Sequence, residues 1–158
     1  MVAFFHFKTM YLQEAQVKLK RRYSSVDVLK FIKSSLDAVD YAFAALYDDC
    51  EDHKEHMFAI FLSRSNRVIG HKLLSTGSST GCICDIKEIL LIALTLKAES
   101  IMLFHNHPSG STNLSAADEA ITKKLKLACI TMDLVLLDHI IVTAEKSKYY
   151  SFADEGQL

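Results

Sequence analysis

The sequence predicts an α/β fold of the α+β kind, a mixed sheet flanked by helices. Three observations predict it. Short apolar runs over 57–62, 100–104 and 134–142 have strand length. Between and before them lie segments with apolar residues at helical spacing, each opened by Ser or Asp. The order is helices, then a hairpin, then alternating helix and strand, which demands both antiparallel and parallel pairing.

The elements follow in order. Residues 11–22 are charged and predict a short helix. Ser34 or Ser35 caps a second helix from Leu36 to about Tyr47, with Leu36, Val39, Phe43 and Leu46 as its apolar stripe. A polar link over 48–54 leads to the strand at 57–62. Asn66 marks a turn into a hairpin partner over 67–74. Residues 75–81, rich in Ser, Thr and Gly, read as a loop. Asp85 caps a helix over 85–98. The strand at 100–104 continues toward two histidines and stops at Pro108, which has no N–H for a ladder. Ser115 opens a helix through Ile121, Leu125 and Ala128. A strand over 134–142 and a short one near 149–152 complete the chain. This gives residues 1–34 as an N-terminal extension and helix and 35–158 as one globular domain, with Met10 an alternative start.

The chain has 158 residues, half of them apolar, enough for a real core and unlike a disordered segment. No apolar run approaches the roughly 18–20 residues that span a bilayer. The first eight residues lack a basic leader and a small-residue cleavage site, so a cytoplasmic protein is expected. The four cysteines, Cys50, Cys82, Cys84 and Cys129, are then expected to be reduced. Cys82 and Cys84 are a weak metal signal, because no partner pair accompanies them. Net charge is −1, from 18 basic and 19 acidic side chains, which gives no global case for nucleic acid. Two local basic clusters, Lys18, Lys20, Arg21 and Arg22, and Lys123, Lys124 and Lys126, read as solvated helix faces.

The chemistry concentrates in His105-Asn106-His107-Pro108-Ser109-Gly110, followed by Ser115 and Asp118. On a strand, residues two apart face the same way, so both imidazoles can reach one ion at about 2.0–2.1 Å. Asn106 then faces elsewhere. Ser115 is an N-cap, and Asp118 at the third helical position is favoured by the dipole and can turn back as a third ligand. A fourth position is left for water or substrate, the mark of a catalytic rather than a structural zinc. A bound water needs a proton acceptor. Glu51, Glu55 and Glu88 are candidates, and Glu55, at the start of a buried strand, is best placed. Taken singly, the histidines could be packing residues and the Ser/Asp pair a cap; together, with Pro and Gly between, they point to a metal. Asp138 and His139 interrupt an apolar strand and face opposite sides. They are either a contact that orients a ligand histidine or a hydrogen-bonded core pair.

A Glu, a long gap, His-x-His, seven residues and Ser-x-x-Asp resemble the JAMM signature of the JAB/MPN metalloprotease superfamily. The forms His-Asn-His-Pro-Ser-Gly, Leu137-Asp138-His139-Ile140-Ile141 and the ending from Tyr149 to Gly156 resemble its RadC branch. The resemblance runs from about Glu55 to the C-terminus. It implies a JAB/MPN-like, cytidine-deaminase-like three-layer architecture. It also implies His105, His107 and Asp118 as zinc ligands, Ser115 as the oxyanion donor, Glu55 as the proton shuttle, and a peptide or isopeptide substrate. Longer RadC-like proteins carry a helix-hairpin-helix module whose turns need glycine. No glycine precedes Gly70 here, which puts direct DNA binding in doubt. The alternative is a DNA-repair-associated accessory protein with a structural or vestigial zinc. A metal-dependent nuclease is a lesser one, since a single carboxylate ligand suits an acyl centre better than a two-metal phosphoryl site.

Overall fold

Residues His56–Leu62 and Ser100–Asn106 are buried at every position. Such unbroken apolar runs belong to central strands covered on both faces. The computed structural model describes residues 31–45, 54–77 and 84–158. The elements are α1 (Ser35–Ala45), β1 (His56–Leu62), β2 (Val68–Thr76), α2 (Ile86–Leu96), β3 (Ser100–Asn106), α3 (Ala116–Thr131), β4 (Val135–Val142) and β5 (Tyr149–Ser151). The sheet runs β2-β1-β3-β4-β5. Only β3 and β4 are parallel, joined through α3; the other pairs are antiparallel. The predicted helix over 11–22, the basic cluster of residues 18–22, the Met10 start, Leu46, Tyr47, Cys50, Glu51 and Cys82 lie outside the described residues. No described helix is long and apolar enough to cross a membrane.

The sheet separates two apolar layers. Ala38, Val39 and Ala42 of α1 pack on Phe58, Ile60, Phe104 and Ile140. On the other face, Ile89 and Ala93 of α2 and Leu125 and Cys129 of α3 pack on Ala59, Phe61 and Leu103. The architecture is therefore three-layered, with the mixed sheet in the middle. Ser34 is the cap of α1: its Oγ accepts from Asp37 N. Leu36 is not in the stripe; it is 52% exposed. At about 100° per residue it lies on the far side of the helix from Ala38, and the small residues Ala38 and Ala42 set the closest approach to the sheet. The helix α2 ends at Leu96, two residues early, because Lys97 turns left-handed at φ 54° and Ala98 N donates to Ala93 O. The hairpin strand β2 reaches Thr76, so the loop after it starts at Gly77. A Cβ on Gly70 would sit 2.9 Å from Leu96 Cδ1, so a larger residue there would have to push the end of that side chain aside.

One irregularity decides what reaches the site. Ile101 pairs with Leu136, but Met102 pairs with Asp138, so β4 carries an extra residue at Leu137. A bulge of this kind reverses the faces beyond it. Asp138 therefore turns toward the α1 layer beside Met102. His139 turns toward the α2/α3 layer beside Leu103.

Candidate metal centre

The end of β3 delivers the first histidine. His105 pairs across to Met57 on β1 and Ile141 on β4, so its backbone is fixed on both sides. Although β3 ends at Asn106, His107 N still donates to Val142 O at 2.9 Å, which carries the extended chain one residue further. Gly110, at φ 71°, closes the turn by donating to His107 O. The carboxylate comes from the first turn of α3. Ser115 Oγ accepts from Asp118 N at 3.1 Å, and Asp118 Oδ2 accepts from Ser115 N and Ser115 Oγ, each at 2.7 Å. This capping box fixes the side chain of Asp118 as well as the helix start.

The three groups converge. His105 Nε2 lies 2.9 Å from His107 Nε2 and 3.1 Å from Asp118 Oδ1, and His107 Nε2 lies 3.8 Å from Asp118 Oδ2. Ligand atoms at the usual zinc bond length from a tetrahedral centre stand about 3.3 Å apart. His105, His107 and Asp118 are the metal-compatible group found among the described residues.

Proton accounting shows why the arrangement suits a cation. Thr122 Oγ1 donates its one hydrogen to Asp118 O at 2.6 Å. It must therefore accept from His139 Nδ1, also at 2.6 Å. Burial, then the neighbouring His105, hold the His139 pKa well below the usual histidine value, so the ring is neutral and its Nε2 is an acceptor. His105 Nδ1 then donates to His139 Nε2 at 2.9 Å. His107 Nδ1 donates to Ser111 O at 2.8 Å. In the neutral rings both Nε2 atoms carry lone pairs, and those lone pairs face each other beside a carboxylate. Among the described residues nothing else supplies a hydrogen between them, and a cation satisfies all three. Burial alone raises the Asp118 pKa. The two Ser115 bonds and, whenever its ring carries a proton on Nε2, the hydrogen bond and charge of His105 outweigh it and hold the carboxyl well below its ordinary range.

The centre opens on a cleft of about 650 Å³. Glu55, Met57, Cys84, Ser115, Ile121 and Lys124 are among its lining residues, along with all three candidate ligands. Of the glutamates weighed from sequence, Glu55 thus shares the cleft. Glu88 lies on α2 near Lys72, at 4.0 Å. Asp138 and His139 divide the two readings made of them. His139 orients His105 and stacks on Phe152 at 5.0 Å. Asp138 is a core residue that accepts from His139 N, Ala153 N and Ser151 Oγ. Sequence reasoning missed Thr122. Its one signal was its place one turn after Asp118.

Comparison with known proteins identifies the family. A family model described as RadC-like JAB domain matches residues 32–157. A protein of Flavobacterium johnsoniae named UPF0758 protein is 41% identical over 144 residues, covering 90% of this chain and 61% of its own length. One of the same name from Chlorobium chlorochromatii is 36% identical over 139 residues, 88% of this chain and 60% of its own. A third, from Streptococcus gordonii, is 42% identical over 105 residues, 66% of this chain and 46% of its own. The chain thus spans less than two thirds of the length of these curated relatives, and their names state no activity. With a matched segment that contains every element from α1 to β5, the chain belongs to the RadC-like JAB domain family.

Proposed function

We propose that the protein is a zinc-dependent hydrolase of amide bonds, a metallopeptidase or isopeptidase acting on a peptide or protein. One observation carries the reading: two imidazole lone pairs and a carboxylate converge on the cleft that Glu55 also lines. Two histidines and one carboxylate are a typical catalytic zinc set, three protein ligands with coordination to spare. When bound, zinc polarises the scissile carbonyl and lowers the pKa of a coordinated water to about 7.

The chain's own groups do the rest. Glu55 takes the proton of the attacking water and delivers it to the leaving amine. The Ser115 hydroxyl donates to Asp118 at rest and turns to the carbonyl oxygen as negative charge develops there. Met57 and Ile121 give the cleft apolar walls, and Ser109, Ser111 and Asn113 offer hydrogen-bonding groups for an extended chain. The reading places the protein in the cytoplasm, where thiols such as Cys84 and Cys129 stay reduced. A nucleic-acid role draws no support from α3, where Lys123 pairs with Glu119 at 3.7 Å as on any solvated face.

The test has two arms. Zinc content is measured in the wild type and in His107→Ala; equal content in both overturns the ligand assignment. Glu55→Gln is then assayed on a panel of peptide and isopeptide substrates. It should keep its zinc and lose turnover, and unchanged turnover removes Glu55 as the base.

A further inference from the structure

We propose that Asn106, between the two ligand histidines in sequence, is the positioning residue for Glu55. The inference rests on the hydrolase reading above and names the device that aims its base.

Alternation turns Asn106 to the face of β3 opposite His105, and the residue is buried. Its amide grips the chain on both sides of Glu55. Asn106 Oδ1 accepts from His56 N at 2.7 Å, and Asn106 Nδ2 donates to Lys54 O at 2.8 Å. These are the peptide groups that flank the glutamate. The backbone ladder between β1 and β3 stops at the Met57–His105 pair. Glu55 lies beyond it, where β3 offers no further strand partner in that register. A carboxamide presents one donor and one acceptor in a plane, as a strand's own peptide does, so Asn106 extends the ladder with its side chain. From the other side Gly77 N donates to Glu55 O at 2.8 Å, so the segment is held between β2 and β3.

The consequence concerns geometry at the cleft. A single strand end places His105 directly and Glu55 through Asn106. The separation between base and metal ligands is then set within one rigid element, where small misplacements are costly for proton transfer. A plainer role is a strand-end cap that stabilises the fold and does nothing for Glu55. The two roles differ in whether the effect of removing Asn106 passes through Glu55.

Acetohydroxamic acid is the probe, because on chelating zinc it gives up its hydroxyl proton to a nearby carboxylate, and its binding needs no knowledge of the substrate. Its affinity for the zinc-loaded protein is measured by calorimetry in the wild type, Glu55→Gln, Asn106→Ala and the double variant. Zinc affinity is measured in parallel. Glu55→Gln should weaken the probe about tenfold or more, the worth of a hydrogen bond to a charged group. Asn106→Ala should weaken it to within about threefold of that, and the double variant should be no weaker than Glu55→Gln, the mark of coupled residues. Zinc affinity should hold in all of them.

Asn106→Asp keeps the acceptor for His56 N and loses the donor to Lys54 O. It should fall between wild type and Asn106→Ala, and it carries the test if the alanine variant does not fold. Wild-type probe affinity in the Asn106 variants, beside a weakened Glu55→Gln, overturns the inference and leaves the hydrolase reading standing. Additive effects in the double variant, or zinc affinity falling in step with probe affinity, overturn it too. A Glu55→Gln protein that binds the probe like wild type removes the Glu55 assignment itself, and the role of Asn106 with it.

Discussion

Asp138 and His139 are neighbours on β4, both buried and both polar, yet they serve opposite ends. Toward α1, Asp138 Oδ1 accepts from His139 N and Ala153 N, and Oδ2 accepts from Ser151 Oγ. Each bond to its carboxylate comes from a donor N–H or O–H, and the group is closed. Toward α3, His139 passes its hydrogen-bonding capacity outward to His105, whose Nε2 is left facing another lone pair. A buried polar cluster that is satisfied internally is structure. One whose acceptors converge without a donor waits for a cation.

The comparison breaks most sharply at the ligands. Removing His107 with His107→Ala should lower zinc affinity by more than about 100-fold, beyond the range seen for outer hydrogen-bond partners. A competition titration with a chromophoric chelator reads it. On the closed side, Asp138→Asn should leave zinc affinity unchanged in the same titration. Next comes the proposed base: Glu55→Gln should keep zinc and lose about 10²–10⁴-fold in turnover.

The relay behind His105 gives a smaller effect. Thr122→Val keeps the shape but removes both the acceptor for His139 Nδ1 and the donor to Asp118 O. Zinc affinity should drop about tenfold, at the low end for an orienting partner. No change would mean that the tautomer of His105 is set without His139. At the helix start, Ser115→Ala should cost about 1 kcal/mol in thermal unfolding of the metal-free protein, the usual value of an N-cap.

The last prediction concerns pH on the closed side. Burial raises the folded pKa of Asp138 above its ordinary value, in excess of its three hydrogen bonds, which lower it. The folded state therefore holds this proton more tightly than the unfolded chain. The stability it contributes is present below the ordinary carboxylate pKa and is lost as pH rises through the raised one. Asp138→Asn removes that dependence, since its amide can donate to Ser151 Oγ at any pH. Relative to this variant, the wild type should lose stability from acid toward neutral pH; denaturant midpoints measured across that window should diverge, and parallel curves would contradict the assignment.

Much of this was legible in the residues. The short apolar runs of β1 and β3, the Asp85 and Ser115 caps and the turn at Asn66 are local events, and local sequence specifies them. The two-residue spacing of the histidines and the three-residue step from Ser115 to Asp118 are local as well, so the candidate ligands could be named before any fold was known. Leu36 was misread because its spacing matched a stripe, while the small side chains of Ala38 and Ala42 fixed which side met the sheet.

Other features depend on partners far apart in the chain. The extra residue at Leu137 has no mark in the sequence, and it takes the register against β3 to show that His139, not Leu136 or Asp138, reaches His105. Position along the chain already favoured Glu55 over Glu88, but only the antiparallel pairing of β1 with β3 shows that Glu55 lines the same cleft as the candidate ligands. The amide of Asn106 gripping Lys54 and His56 joins residues about fifty apart. Spacing along one element fixes which side chains share a face. Only the packing of strand on strand and helix on sheet fixes which faces meet, because that choice belongs to the burial of the whole core rather than to any one segment.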